Sequence, residues 1–277
     1  MEVSTLCSRT SRGSNAANRL HAFIIGALRL PAWFSEIAIK RKVHITMDIH
    51  DIKQRLARPA LKLIAGGFRP AGTDEESWLG EVFLFRPDEG IPTNQAAEQL
   101  LPYAQFYLPA LPFSSPALDG VRVLTLFVSN PFPEHFEPMG DNWVIREYGA
   151  DDVLVRKTLT AQGAFLRPFP LKTEAVPQDY PLWDGGGVPS ELEDEILQLE
   201  RAGEIQSYYD LVTHTYEHKI GGYPSFCQSG VDPGEGFEFV FQISSDPKIQ
   251  LNVVDNGSLM FWKHRVTGEW VLYYDFY

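Results

Sequence analysis

Two apolar, aromatic runs close the chain, residues 257–264 and 270–277, and the turn residues Thr267 and Gly268 between them fold one back on the other. This antiparallel ribbon constrains everything upstream, because two strands are not stable alone and need further strands or a covering layer. Leu259, Phe261 and Lys263 oppose Met260, Trp262 and His264. On the second run Trp270, Leu272, Tyr274 and Phe276 oppose Val271, Tyr273, Asp275 and Tyr277. One face must be core. The other is also large and aromatic, which fits either a second buried layer or a recognition surface built from rings with polar tips. The candidate binding residues on it are Tyr273, Asp275 and Tyr277.

Upstream patterning predicts a mixture of helices and strands. Asp48 can cap a helix carrying Ile49, Ile52 and Leu56; Pro59 interrupts it, and 61–64 resumes before Gly66-Gly67. Strands are expected at 79–85, 103–108, 121–129, 143–146, 152–155 and 237–243, and a short helix at 94–101. Residues 163–189 read as a connector, because five prolines and Gly185-Gly186-Gly187 work against a long regular element. Ser190 and Glu193 can form a capping box for a helix ending at Gly203, and a second helix is expected over 205–218.

Charge divides the chain near Met47. Residues 1–46 hold seven Lys or Arg and two acids, whereas the rest holds 34 acids and 17 bases. The first part reads as a poorly ordered basic extension, the second as one domain. A net charge of −12 argues against nucleic acid as a partner, and no run approaches the roughly 20 apolar residues that span a bilayer, so no membrane partner is expected. Two cysteines, Cys7 and Cys227, make no disulfide framework and suit a reducing cytoplasm.

The halves echo each other faintly: a Gly-Gly turn, a strand with Gln105 or Gln242, then a strand with Phe127 or Phe261. The expectation is therefore an α+β domain over 47–277, built from two divergent repeats (roughly 47–160 and 190–277) that share a mainly antiparallel sheet with flanking helices. Three strings carry a family likeness: Lys219-Ile220-Gly221-Gly222-Tyr223-Pro224, preceded by His218; Phe241-Gln242-Ile243-Ser244-Ser245-Asp246; and Asp255-Asn256-Gly257-Ser258-Leu259-Met260-Phe261-Trp262. They resemble the YwqG family of bacterial proteins, a domain of unknown function, over about 60 residues, while Gly66-Gly67-Phe68-Arg69-Pro70 keeps only a trace. The resemblance implies a duplicated α+β fold and no activity.

One string looks catalytic. His214-Thr215-Tyr216-Glu217-His218 has the H-x-x-E-H order, in which two histidines on one helix face share a zinc and Glu217 serves as base. A metal-dependent hydrolase is thus the alternative reading. Against it, the third ligand lacks a clear source, and His218 falls at a helix end where it suits the dipole. The glycine stretches lack a phosphate loop's Lys-Ser/Thr, so no cofactor is expected. Gln242 and Asp246 are better suited to fixing a bend than to reacting. The favoured expectation is a non-enzymatic, cytoplasmic binding protein with a protein partner, of the immunity type in which an acidic surface caps a toxin or another basic protein.

Overall fold

The computed structural model describes residues 48–277. The expected basic extension and Cys7 lie outside the described residues. Asp48 caps α1 (Ile49–Leu56), its carboxylate accepting from the His50 amide at 2.9 Å. Strands β1 (Arg58–Ala65), β2 (Trp78–Leu79), β3 (Leu84–Phe85), β4 (Leu101–Tyr107), β5 (Val123–Val128), β6 (Trp143–Tyr148), β7 (Val155–Arg156) and β8 (Phe169–Asp179) follow. Then come α2 (Ser190–Ala202), β9 (Lys219–Gly221), β10 (Phe237–Ser244), β11 (Ser258–His264) and β12 (Trp270–Asp275).

Ten strands form one sheet in the order β12-β11-β10-β9-β1-β8-β2-β4-β5-β6, with β3 and β7 paired separately. Each pairing is antiparallel. The sheet curls until its edge strand β6 lies against β11, the strand next to the opposite edge. Trp143 of β6 packs on Phe261 of β11 (6.2 Å between centroids), and Lys263 Nζ lies 2.6 Å from Glu147 Oε1. The concave side is the main core, with Leu63, Phe106, Phe241 and Phe261 fully covered. A second core joins α1 and α2 through Ile52, Leu56, Leu192 and Ile196. On the convex side of the terminal ribbon, Leu182 and Phe226 cover Met260 and Trp262.

This architecture overturns the α+β reading. The described chain is dominated by antiparallel sheet, and its two α-helices span 8 and 13 residues. The helix–Gly-Gly unit behind the repeat reading is not formed: Gly66 follows β1 and Gly221 ends β9, both strands. Residues 61–64 are extended because β1 is paired on both sides, with β8 and β9, and pairing outweighs a short apolar pattern that helices and strands can both satisfy.

Residues 205–218 hold one short turn, Tyr208–Asp210, in place of a helix. Asp210 accepts from the Gln206 and Ser207 amides as the capping box of this turn, whereas Asp179 takes the Thr215 amide, a donor that a helix running to 218 would direct to the Leu211 carbonyl. Helix α2 begins at Ser190 itself, behind Pro189, so the expected capping box is absent. Residues 94–101 form a turn leading into β4 rather than a helix.

The proline-rich connector contains the longest strand, β8. Pro177 falls at the one register irregularity with β1, between Arg58 and Ala60, and Pro170 sits where β8 passes from β1 to β2. At both places the ladder is already interrupted, so the missing N–H costs little.

Candidate functional site

The sequence motifs converge where β8, β9 and β10 end. Asp179 closes β8 and Lys219 opens β9; both side chains are fully buried and lie 2.9 Å apart. Asp179 Oδ1 accepts the Thr215 amide (2.8 Å), and Oδ2 accepts the Tyr223 amide (2.9 Å). The carboxylate therefore pins both sides of the 215–223 segment. Burial pulls the Lys219 ammonium down to about 8, while Asp179 opposes that fall. Gly222 admits this arrangement: its φ is +68°, and a Cβ there would stand 2.2 Å from Asp179 Oδ2.

A second layer surrounds the pair. His214 donates from Nδ1 to the Tyr180 carbonyl (2.6 Å) and accepts at Nε2 from the Ser225 hydroxyl (2.7 Å). Burial lowers its pKa to about 4, with Lys219 adding repulsion, so the ring is neutral at pH 7. Gln242 receives the Ser225 amide (3.0 Å) and donates to the Tyr216 and Glu217 carbonyls (3.0 Å each). Gln105 does similar work in the other half, accepting the Phe83 and Leu84 amides at 3.1 and 2.9 Å. His218 accepts the Ser244 amide at Nδ1 (3.0 Å) and donates from Nε2 to Asp246 (3.3 Å). That bond is the main cause holding Asp246 below the usual carboxylate range.

The geometry behind the zinc alternative is not formed. Residues 214–218 are not helical, so His214 and His218 do not share a helix face. Each ring nitrogen already has a protein partner, and Glu217 is bound to Lys62. Among the described residues no three His, Cys, Asp or Glu side chains converge as a metal site.

The remaining predicted residues are dispersed. Gly221 and Gly222 make the turn after β9; Tyr223 is buried, its hydroxyl donating to the Leu56 carbonyl (2.9 Å), and Pro224 follows. Asp255 is exposed, and its backbone carbonyl accepts the Tyr277 amide (3.2 Å). Gly257 lets β11 pass so close to β12 that a Cβ would sit 1.8 Å from the Asp275 carbonyl. Phe261 belongs to the main core and Trp262 to the convex cluster.

Of the binding candidates, Tyr277 is 71% exposed. Tyr273 is half-buried against His135, Phe136 and Phe226. Asp275 is a correction: it is 3% exposed and accepts the Cys227 and Gln228 amides (2.8 and 2.9 Å), so it holds a loop rather than facing a partner.

Sequence reasoning missed the Asp179–Lys219 pair and Ser225. Asp179 lies 40 residues from Lys219 in the proline-rich segment, and no local spacing links them.

Beside this cluster a cleft of about 730 Å³ opens between the starts of β1 and β10. Arg58 stands at it with its guanidinium 4.2 Å from the centre of the Tyr223 ring. Phe239, Trp262 and the backbone of Gly185–187 also line it. Fold and site together define an antiparallel β-sheet protein with a closed polar cluster next to an open aromatic cleft. The chain belongs to the DUF1963 family, a domain of unknown function, which matches residues 79–266. That span includes the whole polar cluster and leaves out Arg58, Tyr273, Asp275 and Tyr277. No curated protein matches the chain. Among the described residues no helix is long and apolar enough to cross a membrane.

Proposed function

We propose that this is a non-enzymatic binding protein of the immunity type, which caps a basic protein partner such as a toxin. The observation that carries the reading is charge: from Met47 onward 34 acidic residues face 17 basic ones. Such a surplus speeds encounter with a basic surface and penalises acidic competitors. The polar cluster supports it too, since the catalytic-looking groups His214, His218, Glu217 and Asp246 are engaged within the chain. Tyr277, just beyond β12, is the exposed anchor, and Tyr273, half-buried on β12, is the second. The three motif strings support a place in the YwqG-like branch of the family, and the sparse cysteines support a cytoplasmic setting.

The test is affinity capture on the full chain at about 20 mM and about 150 mM salt, followed by association kinetics of whatever is retained. The expected result is a basic protein whose association slows as salt rises. Retention of only acidic proteins, or of none, overturns the reading.

A further inference from the structure

We propose that the cleft beside Gly221 is the vacant end of a strand lane, and that it takes the C-terminal end of an extended peptide. This deepens the binding reading and rests on it. The lane follows from register. β9 pairs with β1 at Lys62, Leu61 and Ala60, and with β10 at Gln242 and Phe241. It stops there because Gly221 and Gly222 both adopt left-handed conformations, with φ of +75° and +68°. The Gly222 amide makes one last bond to the Pro59 carbonyl (3.0 Å), and the Tyr223 amide is then drawn to Asp179.

The flanking strands run on past that point. β1 extends through Pro59 and Arg58, and β10 through residues 237–240, of which 237–239 pair only with β11 on their far side and Val240 is the bulged residue without a register partner. Arg58, Pro59, Phe237, Glu238 and Phe239 all line the cleft, so the space between the two strands is open. Four residues of β10 edge correspond to about 13 Å of extended chain. An unpaired strand edge offers backbone donors and acceptors to an incoming strand, and side pockets then supply selectivity. Here Phe239, Trp262 and Phe226 supply an apolar face for the peptide's side chains.

Two features select the occupant. The lane is blocked at Gly221 by β9 itself, so an inserted strand cannot pass through and must end there. Arg58 stands near the blocked end, exposed, and no carboxylate of the described residues is ion-paired with it; Asp179, its register partner on β8, is committed to Lys219. A terminal carboxylate gives this guanidinium its partner, whereas a terminal ammonium would be repelled. Toward the open end Glu238 is paired with Arg265 (3.3 Å), and the exposed Asp232 favours a basic residue further back in the peptide.

The experiment pans a library of random heptapeptides with free C-termini on the full-length chain. An enriched sequence is then synthesised as the acid and as the C-terminal amide. The acid should bind about tenfold tighter than the amide or better, the size expected of one charge-assisted contact. Arg58→Ala, an exposed substitution, should remove that difference, and bound acid should slow hydrogen exchange at the Phe239 or Val240 amide, because Glu238 already faces β11 in register with the Gly236–Arg265 bond. No enrichment, equal binding of acid and amide, or an unaffected Arg58→Ala variant overturns the proposal. The two readings fail separately. If a basic protein is captured but binds Arg58→Ala unchanged, the lane assignment falls and the binding reading stands; if none is captured, the binding reading itself falls.

Discussion

Lys219 and Asp179 form a 2.9 Å ion pair in which neither side chain has any exposed surface. The pair joins the end of β8 to the start of β9 and, through the Thr215 and Tyr223 amides, sets the path of the turn beside the cleft. Removing one partner leaves the other as an uncompensated buried charge. Lys219→Met should therefore cost about 3–5 kcal/mol in urea unfolding at pH 7. The double variant with Asp179→Asn should cost clearly less than the two single costs added together. A Lys219→Met loss below about 1 kcal/mol would show that the pair does not hold this turn.

His214 makes stability depend on pH. Its folded pKa is depressed to about 4 by burial, against 6.5 for the free side chain. Between those values the unfolded chain binds the extra proton, so stability is lost as pH falls through that window, by up to about 3 kcal/mol. Unfolding curves at pH 7, 5 and 4 check this. A His214→Gln variant should start less stable and lose less on acidification; parallel losses in both proteins would place the titration elsewhere.

The turn after β9 gives a paired glycine test. Gly222 and Gly67 both have left-handed φ, +68° and +89°, but only Gly222 faces an obstacle: a Cβ there would meet Asp179 Oδ2 at 2.2 Å, whereas one at Gly67 would meet nothing within 4 Å. Gly67→Ala should cost about 1 kcal/mol, the backbone penalty alone. Gly222→Ala should cost more than about 3 kcal/mol, because it also displaces a buried carboxylate. Thermal unfolding of the two variants side by side decides it, and equal losses would refute the close approach.

What is legible in the sequence is local. The ribbon of β11 and β12 is readable because Thr267-Gly268 and the alternating side chains sit within twenty residues of one another. Strands β4, β5 and β10 are readable for the same reason. β1 is not, because its short apolar run fits helix and strand alike, and only its partners β8 and β9, more than a hundred residues away, decide the matter. β8 is hidden by prolines that stand where its ladder breaks. At the site, His218, Gln242 and Asp246 stand out in the sequence because they belong to recognisable strings. Asp179, which organises the turn between them, does not, since a lone carboxylate among prolines carries no pattern.

The closed state of the histidines predicts indifference to zinc. A zinc ion needs an unprotonated ring nitrogen, and His214 Nε2 and His218 Nδ1 are occupied by Ser225 and the Ser244 amide. Adding zinc should leave the thermal midpoint unchanged. A rise that vanishes in His218→Ala would mean that these contacts give way to metal, and would restore the hydrolase alternative.

The two tyrosines of the ribbon should separate packing from recognition. Tyr273 is wedged against His135 and Phe136, with centroids at 4.6 and 5.1 Å, whereas Tyr277 is 71% exposed. Tyr273→Ala should cost about 1–2 kcal/mol of stability, the worth of a half-buried ring, and Tyr277→Ala close to none. Against a captured basic partner the order should reverse. Tyr277→Ala should speed dissociation while leaving the association rate and its salt dependence alone, because steering arises from the whole charge distribution and a ring anchor acts after contact. Urea unfolding and dissociation kinetics on the same two variants supply both readouts. If Tyr277→Ala leaves dissociation unchanged, the ribbon is not the contact face, and the partner's anchor must be sought at the cleft.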